Sequence, residues 1–136
     1  YTGFYKNVLE SDQLIKQVII PIPMQGVHVI SFFDKLGSRK ALAISKVSLA
    51  MSGYFHKNRF TSVRIAMGSV AEHVIAAPQT ADILLAGELT RERLEQAAEM
   101  LSAEAQPIDD MFSTEEYCRQ AVRGLLIRNL WEFITR

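Results

Sequence analysis

After Ala71 the apolar period of this chain changes from two to about 3.6, and that change decides its fold class. Before it, "VHVISFFDKL", "KVSLAMSGYF" and "FTSVRIAMGSVA" alternate as strands do. In the first, Val27, Val29 and Ser31 take one face, and His28, Ile30 and Phe32 the other. In the second, Val47, Leu49 and Met51 oppose Ser48 and Ser52. In the third, Thr61, Val63, Ile65 and Met67 oppose Ser62, Arg64, Ala66 and Gly68. The polar "HKNR", with Asn58 as a turn residue, joins the last two into a hairpin. Upstream, "QLIKQVIIPIP" is rich in β-branched residues, and it predicts one more strand over Gln13–Ile20, ended by Pro21 and Pro23.

Beyond the change the chain reads as three helices. "APQTADILLAGE" has Pro78 near a helix start and Gly87 at its stop. In "TRERLEQAAEMLSAEA", Thr90 is placed as the N-cap, and Leu94, Ala97, Ala98 and Leu101 form one apolar stripe. Ser113 opens the last helix, with Glu116 completing a capping box and Phe112 and Tyr117 a hydrophobic staple. Its stripe runs through Ala121, Val122, Leu125, Leu126 and Leu130. Strands first and helices second predict an α+β fold. Three to four antiparallel strands from the N-terminal half pack against three helices from the C-terminal half. With 136 residues and 49% hydrophobic composition, residues 1–136 form a single domain around one core.

Charge narrows the function. Fifteen Lys+Arg against fifteen Asp+Glu leave no net charge, which argues against a nucleic-acid partner and against attraction to an anionic membrane. No apolar run is long enough to span a bilayer. The single cysteine, Cys118, excludes an internal disulfide and a thiolate metal cage, and it fits a cytoplasmic setting. The start, "YTGFYKNVLESDQ", shows no signal peptide and no initiator Met, so the chain is expected to be part of a longer one.

The sequence names no self-sufficient active site. His28, His56 and His73 lack ligand spacing, and the metal-site expectation is none. Nucleophile elbows, dinucleotide fingerprints and phosphate loops are absent from the sequence. Asp109 and Asp110 precede the last helix, where its dipole favours negative charge. Cys118 has no neighbouring base and reads as an inert thiol. The five methionines read as core filling. What remains is the basic stretch "FFDKLGSRKALAISKV", with Lys35, Arg39, Lys40 and Lys46 around Gly37. Gly37 lets the chain turn tightly there. The stretch is either a binding loop carried by a rigid sheet or a solvated basic turn.

The order of these pieces resembles a known family. A strand ends at Pro21. Lys-x-x-x-Arg stands at Lys35 and Arg39, Ala-Ile-Ser at Ala43 to Ser45, and Arg-Ile-Ala-x-Gly at Arg64 to Gly68. A proline precedes a short helix, Pro-x-Asp lies at Pro107 to Asp109, and Glu-Tyr-x-Arg at Glu116 to Arg119. Together they resemble the C-terminal domain of the FAD-binding (medium) subunit of molybdenum hydroxylases, the xanthine dehydrogenase and carbon monoxide dehydrogenase group. The resemblance covers nearly the whole chain and carries the same α+β architecture.

The resemblance implies an oxidoreductase role inside a larger assembly. A molybdopterin cofactor on a large subunit oxidises the substrate. Electrons pass through 2Fe-2S clusters on a small subunit to FAD and on to an acceptor. The FAD is held mainly by N-terminal FAD-binding subdomains, which this chain lacks. The residue matching Lys35 approaches the flavin ring, and the residue matching Ile15 offers backbone contact near a ring carbonyl. Gly37 and Arg39 belong to the connection that shapes access for the acceptor. Leu42 and Ala43 replace acidic residues of the animal enzymes, which leaves the acceptor open. No residue of this chain is implied as catalytic by itself.

The rival expectation is a non-catalytic interaction or dimerisation domain. A flavin-facing domain should carry a shallow, partly basic surface around Lys35. An interaction domain should expose a contiguous apolar patch on the sheet or the last helix. The resemblance predicts that the purified 136-residue chain does not hold stoichiometric FAD. Visible absorbance checks this, and a yellow preparation with one flavin per chain would contradict it.

Overall fold

The structure is a computed structural model that describes residues 2–3, 6–23, 26–39, 44–109 and 113–134. Strands β1 (Val29–Gly37), β2 (Ser45–His56), β3 (Arg59–Gly68) and β4 (Ile75–Ala76) are followed by helices α1 (Pro78–Leu85), α2 (Arg91–Glu104) and α3 (Glu115–Ile134). The strands form one antiparallel sheet in the order β1-β2-β3-β4, a meander. This is the expected α+β arrangement.

Alternation divides the sheet into two unlike faces. Val47, Leu49, Met51, Val63, Ile65 and Met67 are buried beneath the helices. They meet Leu94, Ala97, Ala98 and Leu101 of α2 and Val122, Leu125, Leu126 and Leu130 of α3 in a single core cluster. Lys57 and Asn58 carry φ values of 47° and 58° at the β2–β3 turn, as a two-residue hairpin loop requires. Thr61 departs from its expected face. The pairing runs Tyr54↔Ser62 and then Phe55↔Phe60, so Thr61 is the extra residue of a bulge. Phe60 is buried in its stead. Beside the bulge, at Gly53, paired with Val63, there is no room for a side chain: a Cβ there would lie 2.8 Å from the Ser62 carbonyl oxygen and 2.9 Å from the Phe60 ring.

Two helix starts are capped by residues distant in sequence. At α1 the Glu104 carboxylate, from the end of α2, accepts from Gln79 N (3.0 Å), Thr80 N (2.9 Å) and Thr80 Oγ1 (2.6 Å). Thr90 caps α2 as expected, accepting from Arg93 N at 3.2 Å. At α3 the cap is Thr114 and not Ser113. Thr114 Oγ1 accepts from Tyr117 N at 3.2 Å, and Asp109 Oδ1 accepts from Glu115 N at 2.6 Å. The carboxylate at 109 satisfies the first amide and moves the helix start one residue on. The proposed Phe112 staple lies outside the described residues.

The strand expected over Gln13–Ile20 does not form. The segment belongs to no strand or helix and exposes Leu14, Ile15, Val18, Ile19 and Ile20 by 69–81%. A β-rich sequence needs a sheet edge to pair with, and propensity alone does not provide one. The fourth strand comes instead from Ile75–Ala76. The contrast between core and segment is measurable on this chain. Leu126→Ala, at a fully buried site, lowers the unfolding free energy by about 3 kcal/mol in urea titration. Ile19→Ser changes it by less than about 0.5 kcal/mol. A comparable loss for Ile19→Ser would mean that the segment packs on the domain.

Candidate functional site

With helices on one face, the other face of the sheet is left open, and the register assigns its surface. Ser31 lies beside Ser52 and Arg64, Phe33 beside Ala50 and Ala66, and Lys35 beside Ser48 and Gly68. Small side chains therefore floor the middle of the face. Phe33, 68% exposed, stands above them. The floor is tight at one spot, because a Cβ on Gly68 would lie 2.6 Å from Ser48 Oγ. Lys35 and Arg64 supply positive charge at its margins. Large apolar side chains are concentrated on the opposite face.

The expected site residues separate into two groups. Lys35, Gly37 and Arg39 come together at the end of β1, all exposed. Gly37 is where the ladder slips: Leu36↔Val47 is followed by Gly37↔Ser45, which leaves Lys46 as the extra residue. Lys46 turns to the helical layer, its Nζ 5.4 Å from the centre of the Tyr117 ring. Lys40, Leu42 and Ala43 lie outside the described residues. Ile15 does not join the sheet, because its segment forms no strand. Ile15 is 69% exposed.

Sequence reasoning missed Asp34. Strand alternation puts its side chain on the helix side of β1, with Ile30, Phe32 and Leu36. Its Oδ2 accepts from Arg128 Nη2 and, at 2.7 Å, from Asn129 Nδ2 of α3. Its Oδ1 accepts from the Lys35 backbone N–H at 2.9 Å. Burial pushes the carboxyl up. The hydrogen bonds from Arg128 and Asn129, the Arg128 charge and the Lys35 N–H outweigh burial and hold it below the usual carboxylate range. The one available signal was a charged residue at an apolar position of an alternating strand.

Other polar groups have structural roles. Cys118 is buried, with its Sγ 3.5 Å from Ser113 Oγ. Asp109 binds the start of α3, as its position before a helix suggests. Met51 and Met67 are buried in the core. Among the described residues, no three His, Cys, Asp or Glu side chains are grouped to hold a metal ion. At the far end of the sheet, His28, His56, Lys57 and Asn58 rim a cleft of about 560 Å³ over Phe55 and Phe133. Those two rings meet edge to face at 5.9 Å. No helix among the described residues is long and apolar enough to cross a membrane.

Comparison with known proteins identifies the family. Residues 32–133 match the family model of the CO dehydrogenase flavoprotein C-terminal domain. The nicotine 6-hydroxylase medium subunit of Paenarthrobacter nicotinovorans is 28% identical over 132 residues, which is 97% of this chain and 45% of that protein. Xanthine dehydrogenase of Calliphora vicina is 27% identical over 106 residues, 76% of this chain and 8% of that protein. Among solved structures, a reconstituted CO dehydrogenase from Oligotropha carboxidovorans superimposes with a TM-score of 0.87 at 23% identity. The match covers all of this chain and 46% of that one. Quinoline 2-oxidoreductase from Pseudomonas putida 86 gives 0.71 at 23% identity, over 85% of this chain and 39% of that one. These structures share its fold. The chain spans less than half the length of the medium subunit that it matches.

The Asp34 contacts set a pH dependence. A carboxyl held low in the folded state stabilises the fold above its unfolded pKa, and the contribution is lost as pH falls through the folded value. At pH 7, Asp34→Asn lowers the unfolding free energy by about 1 kcal/mol, since one partner is exposed. The gap closes as pH falls below the free-aspartate value of 3.8. Urea titration across pH checks this, and a gap unchanged at about pH 3 would contradict it.

Proposed function

Because the chain belongs to the CO dehydrogenase flavoprotein C-terminal domain family, we propose that it completes a FAD-carrying subunit of a molybdenum hydroxylase. The open face of its sheet meets the isoalloxazine side of that subunit. The observation that carries this reading is Lys35, held by β1 on the uncovered face beside a floor of Ser48 and Gly68.

The residues fit a planar, electron-accepting ring. Small side chains let a flat group approach the backbone closely, and Phe33 offers an aromatic surface beside them. FAD, when bound, supplies the redox chemistry between iron–sulfur clusters and an acceptor. The part of this chain is electrostatic and steric. The Lys35 ammonium favours negative charge on the ring, most strongly where the docked domains exclude water. Gly37 and Arg39 lie at the rim, where an acceptor would arrive. Ile15, on the exposed segment before the sheet, would add a backbone contact near a ring carbonyl.

The partners follow from the same reading. They are an N-terminal FAD-binding domain, a molybdopterin-bearing large subunit and a small subunit with 2Fe-2S clusters. Two features support an assembly. Relatives such as the nicotine 6-hydroxylase medium subunit are more than twice the matched length. Leu14, Ile15, Val18, Ile19, Ile20 and Ile22 are 69–91% exposed in an unpaired stretch that a neighbouring domain would cover. A pure dimerisation domain would instead gather its apolar surface on the sheet or on α3. Here the open sheet face carries mostly small side chains, with Lys35 and Arg64 at its margins and the ring of Phe33 above its middle.

The test uses the FAD-loaded subunit that carries this domain. Lys35→Met lowers the flavin midpoint potential by about 30 mV, or about 1.4 kcal/mol for a two-electron couple. It leaves the urea midpoint of the domain nearly unchanged, because Lys35 is an exposed strand residue. An unaltered potential would remove Lys35 from the flavin and return the basic stretch to a solvated turn.

A further inference from the structure

We propose that Asp34 is a positioning residue for Lys35, latching the end of β1 to α3 so that the lysine stays on the open face. The inference rests on the reading that Lys35 meets the flavin. Its grounds are geometric.

β1 needs such a latch. It is the first strand in the sheet order, and among the described residues it pairs with β2 alone. Its ladder slips between Leu36 and Gly37, one residue beyond Lys35. The strand that carries the lysine is therefore held on one side and interrupted at its end. Edge strands so placed open more readily than central ones.

Asp34 supplies what the ladder lacks. Successive strand side chains point to opposite faces, so a group fixed inward at 34 fixes 35 outward. A carboxylate on a half-buried apolar face is costly without partners, and its two oxygens divide the work. Oδ2 takes Arg128 and Asn129 from α3, while Oδ1 takes the backbone N–H of Lys35 itself. The carboxylate thus joins the helix to the amide of the residue to be placed. The helical side is firm. Asn129 Nδ2 also donates to Leu125 O at 2.9 Å, and the adjoining Leu125, Leu126 and Leu130 are buried. A simple stabilising ion pair would need only the contacts to α3. The bond to the Lys35 amide points to positioning.

The experiment compares Asp34→Ala, Lys35→Met and the double variant in the FAD-loaded subunit, by amide hydrogen exchange and flavin midpoint potential. Asp34→Ala should raise exchange over residues 35–37 about tenfold while the centre of the sheet is unchanged. It should move the potential in the same direction as Lys35→Met, and add nothing in the Lys35→Met background. If Asp34→Ala does not fold, Arg128→Ala gives the same comparison with β1 intact. Loosened amides with a wild-type potential, while Lys35→Met still shifts it, would overturn the positioning role and leave the flavin reading standing. Unchanged exchange would overturn the latch directly. A Lys35→Met potential equal to wild type would overturn the flavin reading and the positioning role with it.

Discussion

The structure depends on covering one face of a four-stranded sheet and leaving the other open. Alternation in β2 and β3 sends Val47, Leu49, Met51, Val63, Ile65 and Met67 to one side, where the helical layer removes their apolar surface from water. The same alternation sends serine, alanine and glycine to the other side. Those residues bury little by themselves and leave a flat surface with Lys35 and Arg64 at its margins. The core and the site are therefore two faces of one pattern.

The helical layer is bound to the sheet and to itself by polar contacts at its ends. Glu104 ends α2 and caps α1. Arg119 Nη1 donates to Ser102 O at 2.7 Å, and Arg123 pairs with Glu99 at 2.6 Å, joining α3 to α2. The Arg91 guanidinium lies 5.7 Å from the Trp131 ring centre. Asp34 performs the corresponding service between α3 and β1. It is the contact of this kind that adjoins the proposed site, so the proposed role of Lys35 would depend on helix placement as well as on strand pairing.

Elements that repeat a period were legible in the sequence. The β1–β2–β3 meander, the Asn58 turn, the Thr90 cap and the α3 stripe follow from local pattern. What escaped depends on partners far along the chain. Gln13–Ile20 carries strand propensity, but strands are completed by neighbours, and none of the described sheet takes it. The Ser113 cap lost to Thr114 because Asp109, six residues before Glu115, took the first amide. Asp34 was hidden for the same reason, since its partners Arg128 and Asn129 lie 94 and 95 residues away. Lys35, Gly37 and Arg39 were singled out by their cluster and the family resemblance, and the structure leaves all three exposed at the end of β1. Ile15 was assigned through the family resemblance alone, and its segment forms no strand among the described residues.

The most direct test of the account is the visible absorption spectrum of the longer protein that carries this domain, purified with its co-expressed neighbours. The account predicts flavin bands together with iron–sulfur bands, as a domain that closes the flavin side of a molybdenum hydroxylase requires. A stable, colourless protein would contradict it and leave the open face around Lys35 as a surface for protein contact alone.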